Sequence, residues 1–112
     1  MEINTKIEQN ITVIEVSGNL DGNTAPVAQE KIMPLLISGC RLVFDMGKCN
    51  YISSAGLRLL LVIAKQLDRV GGTGAYAALT QETNDVMKIT GFDNMFISYP
   101  TVTEAVKSFG KI

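Results

Sequence analysis

Two adjacent serines, Ser53 and Ser54, stand where an apolar stretch passes through a short loop into a long apolar helix. The run reads Asp45-Met46-Gly47-Lys48-Cys49-Asn50-Tyr51-Ile52-Ser53-Ser54-Ala55-Gly56-Leu57-Arg58. A hydroxyl at a helix start can accept from the free backbone N–H groups of the first turn. It also lies at the positive end of the helix dipole, where a negative group such as a phosphate is stabilised. Either serine can cap the helix, and if Ser53 does so, Ser54 is left to face outward. On residue types alone, cap and phosphate site both remain open.

Other chemistries are poorly supplied. The chain has no histidine, which removes every Ser-His-Asp or Cys-His arrangement and the commonest metal ligand. Cys40 and Cys49 lack metal-ligand spacing and are expected to be reduced thiols. Gly71-Gly72-Thr73-Gly74 lacks the lysine of a phosphate-binding loop and follows a helix instead of a strand. Asp21, beside Gly22, reads as a turn residue, and nothing else needed for hydrolysis accompanies it. The chain is therefore not expected to be an enzyme.

The elements that must position the serines follow from periodicity and punctuation. Ile3–Ile7 and Ile11–Val16 alternate as a β-hairpin about Gln9-Asn10, with the apolar alternation of the second strand shifting between Val13 and Ile14. Thr24 is expected to cap a helix starting at Ala25, with Val27, Ile32, Leu35 and Leu36 on its inner face and a kink or early stop at Pro34. Arg41–Met46 suits a central buried strand. Ser54–Val70 is a helix with Leu57, Leu60, Leu61, Ala64 and Leu67 inward, Arg58, Lys65 and Arg69 outward, and Gly71-Gly72 as its stop. A strand over Ala75–Leu79, a helix over Glu82–Thr90 ended by Gly91, a strand over Phe96–Tyr99 and a helix over Thr103–Phe109 capped by Thr101 or Thr103 complete the chain. The order β-β-α-β-α-β-α-β-α predicts an α/β fold: one domain over residues 1–112, with a mixed, mainly parallel sheet, an N-terminal β-hairpin and helices packed against it.

Composition bounds the setting. The chain has 112 residues, 46% apolar and 19% charged, the balance of a globular domain. A net charge of −1 argues against direct nucleic-acid binding. The N-terminal residues carry no signal-peptide core and no run is long enough to span a bilayer, so a cytoplasmic protein without membrane insertion is expected.

With the elements in order, the chain resembles the STAS domain of bacterial anti-sigma factor antagonists (anti-anti-sigma factors) over nearly its whole length. The resemblance rests on Gly18-Asn19-Leu20-Asp21, Thr24, Leu42-Val43-Phe44-Asp45, Ile52-Ser53-Ser54-Ala55-Gly56-Leu57 and Ile89-Thr90-Gly91-Phe92. It implies a STAS-like fold and phosphorylation of Ser54 by an anti-sigma factor that is also a serine kinase. The unphosphorylated form then binds that kinase and frees a sigma factor, and phosphorylation ends the binding. Ser53 takes a position often held by aspartate in relatives, and Gly47 one often held by serine. Asp21 matches the family aspartate near the phosphorylated serine.

The expected partner-binding residues are Asp21, Ser53 and Ser54, on the resemblance, and Arg58 and Val62, on an outer helix face more apolar than a surface helix requires, with Tyr51, Cys49 and Asn50 bordering the same surface. No cofactor belongs to this chain, because the kinase brings ATP and magnesium. A monomer is expected when free. The alternative within the family is a stand-alone subunit of a lipid-transport ATPase complex or a sensory complex, without a phosphorylation switch.

Overall fold

The computed structural model describes residues 1–110. Strand β1 (Glu2–Glu8) turns through Gln9 and Asn10, both at positive φ, into the antiparallel β2 (Ile11–Ser17). Two consecutive left-handed residues give a hairpin turn whose twist matches that of the flanking strands. Strands β3 (Arg41–Lys48), β4 (Thr73–Ala77) and β5 (Ile97–Tyr99) follow, each parallel to its predecessor. The sheet order is β1-β2-β3-β4-β5, which makes β3 the central strand. A helix occupies each crossover: α1 (Ala25–Ile32), α2 (Ser54–Arg69) and α3 (Gln81–Thr90), with α4 (Val102–Phe109) closing the order. This is the mixed, mainly parallel sheet with an N-terminal hairpin that the element order predicts.

The sheet is covered on both faces. On one face Ile14, Val16, Leu42, Phe44, Met46 and Tyr76 pack with Ala28 and Ile32 of α1, with Leu59, Leu60, Ile63 and Leu67 of α2, and with Met87 of α3. On the other, Ile11, Val13, Val43, Ala75 and Ala77 pack with Ala105, Val106 and Phe109 of α4. Strand β2 therefore has no shift of alternation between Val13 and Ile14. Its odd residues face α4 and its even residues face the other three helices, because an interior strand is buried on both sides. The irregularity in β2 lies instead between Glu15 and Ser17, where its register with β3 slips.

Several local expectations are corrected. Helix α1 starts at Ala25, but Thr24 makes no side-chain capping bond. Its inner face is Ala25, Ala28 and Ile32, while Val27 is exposed. Helix α1 stops at Ile32, and Pro34 sits in a 3-10 turn, Met33–Leu35, near its start. The buried stripe of α2 is Gly56, Leu59, Leu60, Ile63 and Leu67. Leu57 and Ala64 are only half-buried and Leu61 is exposed, so the inward face is rotated from the expected one. Strand β4 runs Thr73–Ala77, two residues earlier than expected, and ends before Ala78, whose φ of +58° turns the chain. Thr101 caps α4 and Gly91 ends α3 in left-handed geometry, both as expected, while the cap of α3 is Thr80, which the sequence reading did not name.

Candidate functional site

The serine pair is set by two loops zipped together beyond the ends of β2 and β3. Gly18 N donates to Lys48 O at 3.0 Å, Leu20 N to Tyr51 O at 2.9 Å, and Ser53 N to Leu20 O at 2.9 Å. Leu20 and Ile52 form an isolated parallel bridge, which brings the Asp21 loop alongside Ser53. The close approach depends on Gly56, since a Cβ there would lie 2.6 Å from Leu20 O and 2.9 Å from Leu20 Cγ and Ile52 Cγ2.

The geometry divides the two serines. Ser53 has extended backbone and is the cap of α2: its Oγ accepts from Gly56 N at 3.4 Å, and its carbonyl accepts from Leu57 N. Ser54 is the first residue of α2 and is exposed. Among the described residues its hydroxyl has no hydrogen-bond partner, so it stands free beside the unpaired N–H groups of a 16-residue helix. Arg58, exposed one turn on, has no salt-bridge partner among the described residues. Ser54, Arg58, Leu61 and Lys65 follow at helical spacing on the solvent side of α2, with Val62 beside them. Tyr51 is 54% exposed, and Leu61 and Val62 are 38% and 40% exposed. Leu61, expected inward, thus faces solvent. Its spacing of seven from Ser54 was the signal that it shares the serine's face.

Asp21 has a structural task. Its Oδ1 accepts from Asn23 N at 2.9 Å and from Thr24 N at 3.1 Å, and its carbonyl accepts from Ala25 N. Asp21, not Thr24, thus satisfies the N–H groups entering α1. The bonds from Asn23 and Thr24 hold its carboxyl below the usual carboxylate range. Thr24 Oγ1 instead closes the loop, donating to Asn19 O at 2.7 Å and accepting from Asp21 N at 2.9 Å. Cys49 does not border the surface as expected. It is fully buried, its thiol donates to Tyr51 O at 3.5 Å, and burial pushes the thiol pKa up. Neither Cys40 nor Cys49 is in a disulfide. Among the described residues no helix is long and apolar enough to cross a membrane.

The site is thus a free serine hydroxyl at a helix start, backed by a second loop, on a sheet covered on both faces. The STAS domain family model matches residues 2–105. The chain belongs to the STAS domain family. It is 30% identical over 97 residues to the anti-sigma-B factor antagonist of Bacillus subtilis, an alignment covering 85% of this chain and 89% of that one. It is 45% identical over 56 residues to BtrV of Bordetella bronchiseptica, named as an anti-sigma factor antagonist, and there the match spans 50% of this chain and 48% of BtrV. The fold also superposes on SpoIIAA of Bacillus, solved unphosphorylated (TM-score 0.81, 18% identity, covering 99% and 98% of the two chains) and phosphorylated (TM-score 0.72, 18% identity, 96% and 99%).

Proposed function

We propose that this chain is a cytoplasmic anti-sigma factor antagonist, monomeric when free, with residues 1–112 forming one STAS domain. It binds an anti-sigma factor serine kinase when unphosphorylated and releases it once Ser54 carries a phosphate. The observation that carries this reading is the division of labour at α2: Ser53 caps the helix, so the exposed Ser54 hydroxyl is free for transfer. Asp21, Tyr51, Ser53, Arg58 and Val62, with Leu61, are the residues of the two loops and the solvent side of α2 that would form the partner surface. Asp21 acts there by shaping the loop against which Ser53 is held.

The switch works on the interface and leaves the fold alone. A phosphate on Ser54 sits at the positive end of α2, with Arg58 within one turn, and neither favours melting of the helix. It brings a charge of about −1.5 to −2 into a surface fitted to a neutral hydroxyl, where desolvation and like charge oppose docking. Incubation with the cognate kinase, ATP and magnesium is expected to add one phosphate to the intact mass of the wild type and none to Ser54→Ala. Ser54→Asp is expected to bind the kinase at least about tenfold more weakly, with unchanged circular dichroism. Normal phosphate uptake by Ser54→Ala, or undiminished binding by Ser54→Asp, overturns the reading.

A further inference from the structure

On its Leu20 side the loop that carries the serines is held by backbone hydrogen bonds and by the packing of Leu20 and Ile52 on Gly56. On its other side it meets the β4–α3 junction. A Cβ on Gly47 would lie 3.4 Å from Ala78 Cβ, so the base of the loop rests on that turn. The turn is itself fixed by Ala78 N donating to Tyr99 O at 3.0 Å. Beyond it, one side-chain bond reaches across 31 residues of sequence: Thr80 Oγ1 donates to Cys49 O at 3.4 Å.

Thr80 is also the cap of α3, its Oγ1 accepting from Thr83 N at 3.3 Å. Thr83 is fully buried, and its hydroxyl lies 3.0 Å from Thr80 Oγ1 and 3.2 Å from Thr80 O. Buried where no water reaches it, the Thr83 hydroxyl has Thr80 as its acceptor. When Thr83 donates to Thr80 Oγ1, at 3.0 Å the shorter of the two contacts, the single proton of the Thr80 hydroxyl goes to the Cys49 carbonyl.

We propose that Thr80 is a positioning residue for the phosphoacceptor: its hydroxyl caps α3 and at the same time ties α3 to the loop that presents Ser54. The proposal rests on the reading of Ser54 as the acceptor. A transferring phosphate demands an acceptor held in one geometry, and a loop anchored on both sides presents its serine with less freedom to lose. The Leu20 bridge supplies one anchor and the Thr80 hydroxyl the other.

Two substitutions separate the cap from the tether. Thr80→Ser keeps both. Thr80→Asp caps α3 as well as threonine does but has no proton to donate at pH 7. The readouts are amide hydrogen exchange in the full chain and the kcat/KM of Ser54 phosphorylation by the cognate kinase. In Thr80→Asp the amides of Leu20, Cys49 and Ser53 are expected to exchange about fivefold faster, the size of effect of one neutral hydrogen bond, and kcat/KM to fall by about the same factor. The Thr83 and Asn84 amides of α3 are expected to be unchanged, and Thr80→Ser to match the wild type throughout. Unchanged loop exchange in Thr80→Asp overturns the tether. Faster loop exchange with an undiminished phosphorylation rate overturns the positioning role, as does a loss in Thr80→Ser equal to that in Thr80→Asp. If the wild type takes no phosphate on Ser54, the acceptor reading fails and so does the positioning role, while the exchange data still decide the tether by themselves.

Discussion

Gly56→Ala sets two well-known effects against each other at the centre of the site. Gly56 is inside the first turn of α2, and alanine in a helix is favoured over glycine by about 0.5–1 kcal/mol. If helix propensity decided the outcome, the substitution would stabilise. The added Cβ would lie 2.6 Å from Leu20 O and 2.9 Å from Leu20 Cγ and Ile52 Cγ2, and the nearest of these is backbone that cannot rotate away. Leu20 O is also the acceptor for Ser53 N at 2.9 Å, so the retreat of most of an ångström that relieves the clash stretches the bond that seats the serine loop. Overpacking of this kind costs about 1–3 kcal/mol, and a weakened buried hydrogen bond adds about 1 kcal/mol. After the helix-propensity gain, a net loss of about 2 kcal/mol is expected. With an unfolding entropy of about 2.1 cal/mol/K per residue, that lowers Tm by about 8 °C. Urea unfolding and calorimetry measure it, and Gly22→Ala, where a Cβ would meet nothing within 4 Å, is the control expected to be near neutral. A Gly56→Ala protein as stable as the wild type or more so would refute the view that this glycine is needed for contact between the loops.

Two further outcomes follow from buried and ionised groups. Tyr76 is fully buried with its hydroxyl unpartnered, and burial together with the Asp93 charge pushes the phenol pKa well above its usual value. Tyr76→Phe keeps the edge-to-face contact with Phe96 and is expected to raise stability by about 1 kcal/mol; a lower urea midpoint would show that the hydroxyl is bonded. Asp21, whose folded-state carboxyl is held below its unfolded value of 3.8, adds stability that is present above that value and lost as pH falls through the lower folded-state value. The stability difference between wild type and Asp21→Asn is therefore expected to shrink below about pH 4 in acid titrations of the urea midpoint, and a difference constant with pH would refute the assignment.

The parts of the fold legible in the sequence are those where a residue type has a single mechanical use. Gln9-Asn10 made the hairpin, Gly91 stopped α3, and Thr101 capped α4, because left-handed backbone and free N–H groups select those residues. What was misread had two local solutions of similar energy. Asp21 and Thr24 can each accept from the N–H groups entering α1, and only the loop's path, pinned by Leu20 against Ile52, gives the cap to Asp21 and turns Thr24 back to Asn19. In α2, leucines at 57, 59, 60 and 61 surround most of the helix, so periodicity alone does not select the inward stripe. The contact at Gly56 does, because the face that can approach Leu20 is the one without a side chain.

The same contact bears on why a switch here would act through a surface. With Gly56, Leu60, Ile63 and Leu67 turned inward, Ser54, Arg58, Leu61 and Val62 are left on the solvent side. Ser53 could not take a phosphate on the same terms. Its Oγ is committed to Gly56 N and its backbone N–H to Leu20 O, so modification there would strip a cap and loosen the joined loops together. An acceptor one residue later leaves every one of those bonds in place. Within the chain an added charge meets only the positive end of α2 and Arg58, neither of which disturbs these bonds, so its unfavourable effect falls on the contact between this face of α2 and whatever docks on it.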